Sequence, residues 1–363
     1  MELAWKGDAE EACRRLEAWW HGEVLDRVCI KITAPLKPGV VERGPEPTEE
    51  ELEEWWTDPE QVVGKLEAYL PGCWYGGEAF PVMFPVSIQM PAILANYLGS
   101  PLRLVGTETG WCEPIIEDWE HCPELRLNEG NKWYRKSVAL LRKAGEAARG
   151  KCLVGVPGFN GPGEILAQLR GSERLAIDLV DNPEHVHETM GKINRLWLEC
   201  WEKMNAIIHE YVEGYLFWMS IWSERPATDL QCDSSIMISN RMFREFFLGH
   251  IEQQTEWVER TIYHLDGPGA VRHLESLLEL PKLTGVQWVP GAGAAPMSQW
   301  MPLLRRIQEA GKLAYVECEP KEVGAILKGL KPAGLLISTH TATVEEGKAL
   351  LRLVERQAGR RRR

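Results

Sequence analysis

The sequence predicts an α/β protein, a single (β/α)8 TIM-type barrel with an N-terminal helical and loop elaboration. Beyond residue 120, strand-like apolar runs alternate with amphipathic helical segments, and in the C-terminal half strands recur about every 25 residues, as in a closed parallel barrel. No G-x-G-x-x-G motif follows the first strand, which argues against the alternative, a doubly wound sheet. We therefore expect one barrel domain over residues 1–363.

The predicted elements follow in order along the chain. A helix is expected at 8–20, and an acidic stretch at 47–55 opens a second helical region. Residues 71–120 are rich in glycine, proline and tryptophan and predict an irregular elaboration over the barrel mouth. The predicted strands are 29–33, 152–156, 215–221, 261–265, 285–289, 313–318 and 335–338. The predicted amphipathic helices are 183–211, 239–259, 271–280, 297–310, 320–330 and 344–357.

Composition excludes several classes of function. A chain of 363 residues that is 44% hydrophobic and 26% charged can bury a large core. Its net charge of -12 argues against nucleic-acid binding, because phosphate neutralisation requires a basic surface. The N-terminus lacks a signal-peptide core, and no apolar stretch reaches the ~18 residues of a membrane helix. The nine cysteines form no C-x-x-C pair. We expect a cytoplasmic protein without a membrane partner.

The most informative segment is the strand end that contains His264 and Asp266, which turn residues follow at once. Side chains two residues apart on a strand point to the same side. Both could therefore enter a pocket at the carboxyl ends of the barrel strands, where such folds hold their active sites. The alternative is an ordinary strand end, in which His264 bonds a backbone carbonyl and Asp266 caps the next helix.

Three segments resemble the uroporphyrinogen decarboxylase superfamily. They are FNGPGEILAQLRG at 159–171, LVDNPEHV at 179–186 and SIMISNRMFREFF at 235–247. The resemblance covers roughly residues 150–355 and implies a single β/α barrel. True decarboxylases of this family carry an Arg-Gln-Ala-Gly-Arg motif near the N-terminus that meets substrate carboxylates. Here those letters occur only at 356–360, in the final helix, so decarboxylation is not expected.

The other branch of the family contains zinc-dependent methyltransferases that move methyl groups to or from corrinoid proteins and thiols. Their metal is held by a His-x-Cys at a strand end and by a later Cys. His264 and Asp266 occupy the first place and His340 the second. The resemblance thus implies a divalent metal, zinc being the expected ion. From its own position at a strand end, Cys318 is a further candidate ligand. Carboxylate and imidazole in place of thiolates suit the polarisation of an ether or hydroxyl oxygen.

Further candidates for catalysis lie at other strand ends. Glu317 and Cys318 are adjacent, and only one of them can face the pocket, as a metal ligand or a general acid. The resemblance places Gln231 and Asp233 in a loop at the pocket. Gln231 is a candidate substrate-binding residue. Asp233 is expected to orient a substrate hydroxyl or to serve as a base, the alternative being an N-cap for the following segment. Glu224 is a competing acid or base.

The chain contains sixteen tryptophans, more than core packing usually needs. Trp74, Trp222 and Trp288 adjoin Gly, Ser or Pro residues at element ends, where aromatic walls line ligand sites. We expect at least two of them to bind substrate in one pocket wall. Glu78 is a further residue that could reach the mouth.

Three functional hypotheses follow. The first is a metal-dependent methyltransferase, or demethylase, that moves a methyl group from a small methylated substrate to a corrinoid carried by a partner protein. The second is a barrel hydrolase or lyase acting on a sugar or aromatic compound, with two carboxylates sharing acid and base work. The third is a non-catalytic protein that binds a corrinoid or another small ligand.

Overall fold

In the computed structural model, which describes residues 1–37, 46–86, 93–107 and 109–361, a mostly parallel β-sheet occupies the centre and helices pack against it. The strands are β1 (Cys29–Pro35), β2 (Cys73–Gly77), β3 (Val82–Met83), β4 (Leu102–Val105), β5 (Thr109–Cys112), β6 (Leu153–Val154), β7 (Tyr215–Leu216), β8 (Trp222–Ser223), β9 (Ala227–Gln231), β10 (Arg260–Asp266), β11 (Gly285–Val289), β12 (Leu313–Glu317) and β13 (Leu335–His340). The α-helices are α1 (Ala9–Trp20), α2 (Leu52–Thr57), α3 (Pro59–Tyr69), α4 (Ile93–Tyr97), α5 (Lys132–Ala148), α6 (Pro162–Arg170), α7 (Ser172–Asp181), α8 (Pro183–Ile208), α9 (Asn240–Phe243), α10 (Gly249–Trp257), α11 (Leu274–Leu278), α12 (Met301–Glu309), α13 (Val323–Gly329) and α14 (Val344–Arg361).

Seven strands form the central sheet, in the order β2-β1-β13-β12-β11-β10-β9. Neighbouring strands are parallel except for the pair β1 and β2. The first strand lies beside the last one, with Cys29 opposite Leu336. Strands β3 and β6 form a second parallel pair, and Val156 N, just after β6, donates to Leu216 O of β7 at 3.0 Å. The α/β class is confirmed, and the carboxyl ends of the parallel strands meet at one edge.

The apolar runs in the sequence predicted most strands of this sheet correctly. The strands expected at 29–33, 261–265, 285–289, 313–318 and 335–338 are β1 and β10 to β13. Helices α8, α12 and α14 match their predictions. The helix expected at 239–259 is interrupted by a π-helical turn at Arg244–Leu248. None of the described helices has the length and apolar content needed to cross a membrane.

The strand predicted at 215–221 is wrong. Strand β7 ends at Leu216, Ser220 adopts a left-handed φ of 53°, and β8 runs back antiparallel to β7. The chain then enters β9, which is buried along its whole length and was not predicted. Its central residue is Asp229, so the segment lacks the apolar run by which the other strands were found.

Buried ion pairs close the amino ends of the strands. The terminal nitrogens of Arg27 donate to the Glu78 carboxylate, both at 2.8 Å, and Ile30 N donates to the same group at 2.7 Å. Arg260, the first residue of β10, donates twice to Glu17 of α1 at 2.8 Å. Glu78 therefore lies at the end opposite the mouth. The prediction that it reaches the mouth is wrong, because its carboxylate is needed to neutralise a buried guanidinium.

Candidate functional site

His264 lies near the carboxyl end of β10, on the side of the sheet away from the helices. Its Nδ1 is 2.7 Å from Oε1 of Gln287 on β11, and the edge of its ring meets Trp218, with ring centroids 5.2 Å apart. Leu265 points the other way and is 1% exposed in the core. The expected alternation along this strand is therefore confirmed.

A chain of hydrogen bonds runs from His264 across three strands. Gln287 Nε2 donates to Glu317 Oε1 at 3.2 Å, the Tyr315 hydroxyl donates to the same oxygen at 2.8 Å, and Lys31 Nζ donates to that hydroxyl at 3.1 Å. Every bond points toward the Glu317 carboxylate, which can only accept when ionised. The Gln287 amide nitrogen donates to Glu317, so the Gln287 amide oxygen faces His264. Because that oxygen can only accept, the Nδ1 atom of His264 carries a proton. In the neutral imidazole, Nε2 is then the ring nitrogen without a proton.

Lys31 is the main functional residue that sequence reasoning missed. It lies within the apolar strand β1, is 7% exposed, and donates to the carbonyl oxygen of Met219 as well as to Tyr315. Burial lowers its pKa from 10.5 to about 8, and the charge of Glu317 acts in the opposite direction. A lysine inside an otherwise apolar strand was the one sign of it in the sequence.

A cavity of about 210 Å³ lies beside Lys31. Its wall combines hydroxyl groups, aromatic rings and three members of the hydrogen-bond chain, Lys31, Tyr315 and Glu317. The lining residues are Lys31, Thr33, Ala79, Phe80, Trp218, Met219, Ser220, Tyr315, Glu317 and Ser338. Its position at the carboxyl ends of parallel strands is where β/α folds bind ligands. The volume is below the ~300–1,000 Å³ of sites for drug-sized ligands, so only a small molecule would fit.

Three carboxyl groups lie next to this hydrogen-bond chain: Asp229 in the middle of β9, Asp233 just after β9, and Glu164 in the first turn of α6. Burial raises the pKa of Glu164 to about 8, and the charge of Asp233 adds to the effect. Burial also raises the pKa of Asp229 to about 6, which a hydrogen bond from Trp218 partly offsets. The pKa of Asp233 is raised by burial, lowered by His264 and raised again by Asp266. Glu164 therefore holds a proton at neutral pH.

The segment at 159–171 positions this acidic group, because it brings Glu164 close to Asp233. Glu164 is in the first turn of α6, where its Oε1 accepts from Ser234 N at 3.1 Å. A Cβ on Gly161 would lie 1.9 Å from the carbonyl oxygen of Gln231, so only glycine permits α6 to approach β9 this closely. Gln231 itself donates to Asp233 at 3.3 Å. The segment thus fixes Asp233 at the mouth.

The four predicted metal ligands do not come together. Among the described residues, no three His, Cys, Asp or Glu side chains form a group that could hold a metal ion. His340 is exposed at the rim, where its Nδ1 is 3.0 Å from the Thr33 hydroxyl. Cys318 packs against the core, and burial raises the pKa of its thiol to about 12. Only His264 and Asp266 remain near each other, so this donor set does not fit a tetrahedral zinc site.

Of the predicted acid and base residues, Glu317 and Asp233 lie at the mouth. Of the adjacent residues Glu317 and Cys318, it is Glu317 that lines the cavity. Glu224 precedes β9 and is exposed, and its backbone N donates to Glu17 of α1 at 2.9 Å. The five residues of β9 separate Glu224 from Asp233 by about 17 Å. Its prediction as an acid or base partner of Asp233 is therefore wrong.

The tryptophan that lines the cavity is Trp218, which is not one of the three predicted to bind substrate. Trp288 is fully buried and packs on Trp300, with ring centroids 4.8 Å apart. Trp222 donates its indole N–H to Glu213 O at 3.1 Å, and Trp74 lies over Gly347 of α14. None of the three is in the wall of the 210 Å³ cavity, where Trp218 stands instead. Burial of large rings between sheet and helices accounts for Trp288.

The sequence matches no family model, and no curated protein is similar to it in sequence. Among solved structures, the fold is similar to that of a methyltransferase from Methanosarcina mazei, with a TM-score of 0.62. The match covers 95% of this chain and 98% of that chain, at 13% sequence identity. The two proteins therefore share a fold over nearly their whole lengths.

Proposed function

We propose that this protein is a methyltransferase that removes a methyl group from a small substrate held in the 210 Å³ cavity. The observation that carries this proposal is the arrangement of His264 beside the buried carboxyl groups of Asp229 and Asp233, whose pKa values are raised, in a fold shared with a known methyltransferase. We also propose that the six mutually parallel strands of the central sheet and the short parallel pair β3 and β6 belong to one eight-stranded barrel domain over residues 1–363.

The chain's own residues supply proton transfer. When a methyl group leaves a heteroatom, the bonding electrons remain on that atom, which then takes up a proton. Glu164 holds a proton at neutral pH, and His264 presents Nε2 as a group that can receive a proton and pass it on. Gln287 holds the imidazole in this tautomer. Such general acid catalysis typically contributes about 10²–10⁴-fold in rate.

The proposed methyl acceptor is a corrinoid carried by a partner protein, as the family resemblance implies. A cavity of 210 Å³ admits only a small substrate, so a macrocycle would have to stay outside the mouth. Zinc remains a prediction, and the mechanism above uses no metal because the donor set does not fit one. Metal analysis of wild-type protein and of the His264→Asn and His340→Asn variants tests it directly.

The activity test mixes the protein with reduced cobalamin and a panel of small O-, N- and S-methyl compounds, and follows methyl-cobalt formation by absorbance. We expect His264→Asn to be slower by 10²-fold or more, whereas Glu224→Gln, an exposed control at the amino end of β9, should retain the wild-type rate. Equal rates for wild type and His264→Asn would contradict the proposal. Cleavage of a substrate without methyl-cobalt formation would favour the hydrolase or lyase.

A further inference from the structure

Lys31 is a buried cation with one hydrogen-bond donor to spare. An ammonium has three N–H donors. Two of them are used by the carbonyl oxygen of Met219 and the hydroxyl of Tyr315, and the side chain borders the cavity. The left-handed backbone at Ser220 fixes the peptide group that presents the Met219 carbonyl. Among the described residues, the groups that hold the ammonium in place by hydrogen bonds are neutral.

The charge of Lys31 lacks a direct counter-ion. In the part of the chain that the structure describes, its hydrogen bonds go to neutral oxygens, and Glu317 is reached only through the Tyr315 hydroxyl. A buried charge is costly unless it is paired. Glu317 is also exposed at the mouth and already accepts from Gln287. An anion in the cavity would supply the missing partner.

We propose that the cavity binds the carboxylate of a small monocarboxylic acid, with Lys31 as its counter-ion. A single ammonium balances one negative charge, and the Glu317 carboxylate, which also lines the cavity, repels a second. The hydroxyls of Thr33 and Ser338 provide further donors, and the rings of Phe80 and Trp218 provide an apolar wall. This inference rests on the proposed function only where it takes the bound acid to be the methylated substrate.

The test compares benzoate with benzamide, two compounds of nearly equal shape that differ in charge. At pH 6.5 we expect calorimetric titration of the wild-type protein to show at least about tenfold tighter binding of benzoate, the factor that a single charge-assisted contact supplies. Lys31→Met should lose this preference. Lys348→Met, which changes an exposed lysine of α14, should keep it. A preference that survives in Lys31→Met would overturn the proposal.

A measurement on the wild-type protein covers the case in which Lys31→Met does not fold. Lys31 faces Tyr315 and Glu317, and burial raises the pKa of Tyr315 well above 10. Benzoate affinity should therefore fall as pH rises above about 8, while benzamide affinity stays constant. Equal binding of both compounds at pH 6.5 would refute the anion site and leave methyl transfer from a neutral substrate intact. Benzoate preference without methyl transfer would refute only the proposed activity.

Discussion

Gln287 is expected to set the tautomer of His264, and its replacement by methionine tests this. Methionine has a similar shape but neither donates to Glu317 nor accepts from His264, so Gln287→Met removes both bonds. In the wild-type protein we expect ¹⁵N NMR of the imidazole to show a proton on Nδ1. In the variant, both tautomers should be populated, because nothing then distinguishes the two ring nitrogens.

The stability change follows from the two lost hydrogen bonds. A bond between neutral groups contributes about 1 kcal/mol, and a bond to a charged group about 1.5–3 kcal/mol. Gln287 makes one of each kind, to His264 and to Glu317, and is 1% exposed. We therefore expect the unfolding free energy to fall by about 2.5–4 kcal/mol, measured by urea denaturation. Methyl transfer should slow together with the loss of the single tautomer.

Gln254 provides a matched control. It is also 1% exposed, but among the described residues neither atom of its amide has a hydrogen-bond partner. Gln254→Met should therefore be neutral or stabilising, and the NMR signals of His264 should not change. A single Nδ1-protonated tautomer in Gln287→Met would refute the assigned role of Gln287, whatever the change in stability.

Three further predictions concern the supporting structure. Glu78→Gln should lower the unfolding free energy by about 3–5 kcal/mol in urea denaturation, because it leaves the buried guanidinium of Arg27 without its counter-ion. A change below about 1 kcal/mol would contradict the stabilising role of this ion pair at the amino ends of the strands. For Glu164, the unfolded carboxyl ionises near pH 4.5 but the folded one only near pH 8, so the wild-type protein should lose stability as pH rises between these values. Glu164→Gln should lack that loss and become the more stable protein at pH 9, and parallel stability curves for the two proteins would count against the raised pKa. Gly161→Ala should lower the thermal midpoint by several degrees, since its Cβ would meet the carbonyl oxygen of Gln231 at 1.9 Å; an unchanged midpoint would show that α6 can shift away without cost.

The strands of the sheet could be predicted because burial on both faces leaves continuous apolar runs. Strand β9 was not predicted because Asp229 interrupts its run of apolar residues. Asp229 belongs to the acidic group of the candidate site and does not serve the apolar packing of the sheet. The turn at Ser220, where a non-glycine residue has a left-handed φ of 53°, likewise ended β7 in a way that the apolar pattern could not show. Both errors fall beside the cavity, where function and local preference conflict.

The sequence by itself determined the α/β class, the order of most elements and the orientation of His264 and Asp266, because periodicity reports which side of an element is buried. Only the tertiary structure decided which elements face each other. Lys31 and Tyr315 are 284 residues apart, and they meet because the first strand pairs with the last one. The same pairing places His340 at the rim beside Thr33 rather than with His264. Periodicity contains no information about these distant neighbours, so the anion site and the separation of the expected metal ligands emerge only when the sheet is assembled.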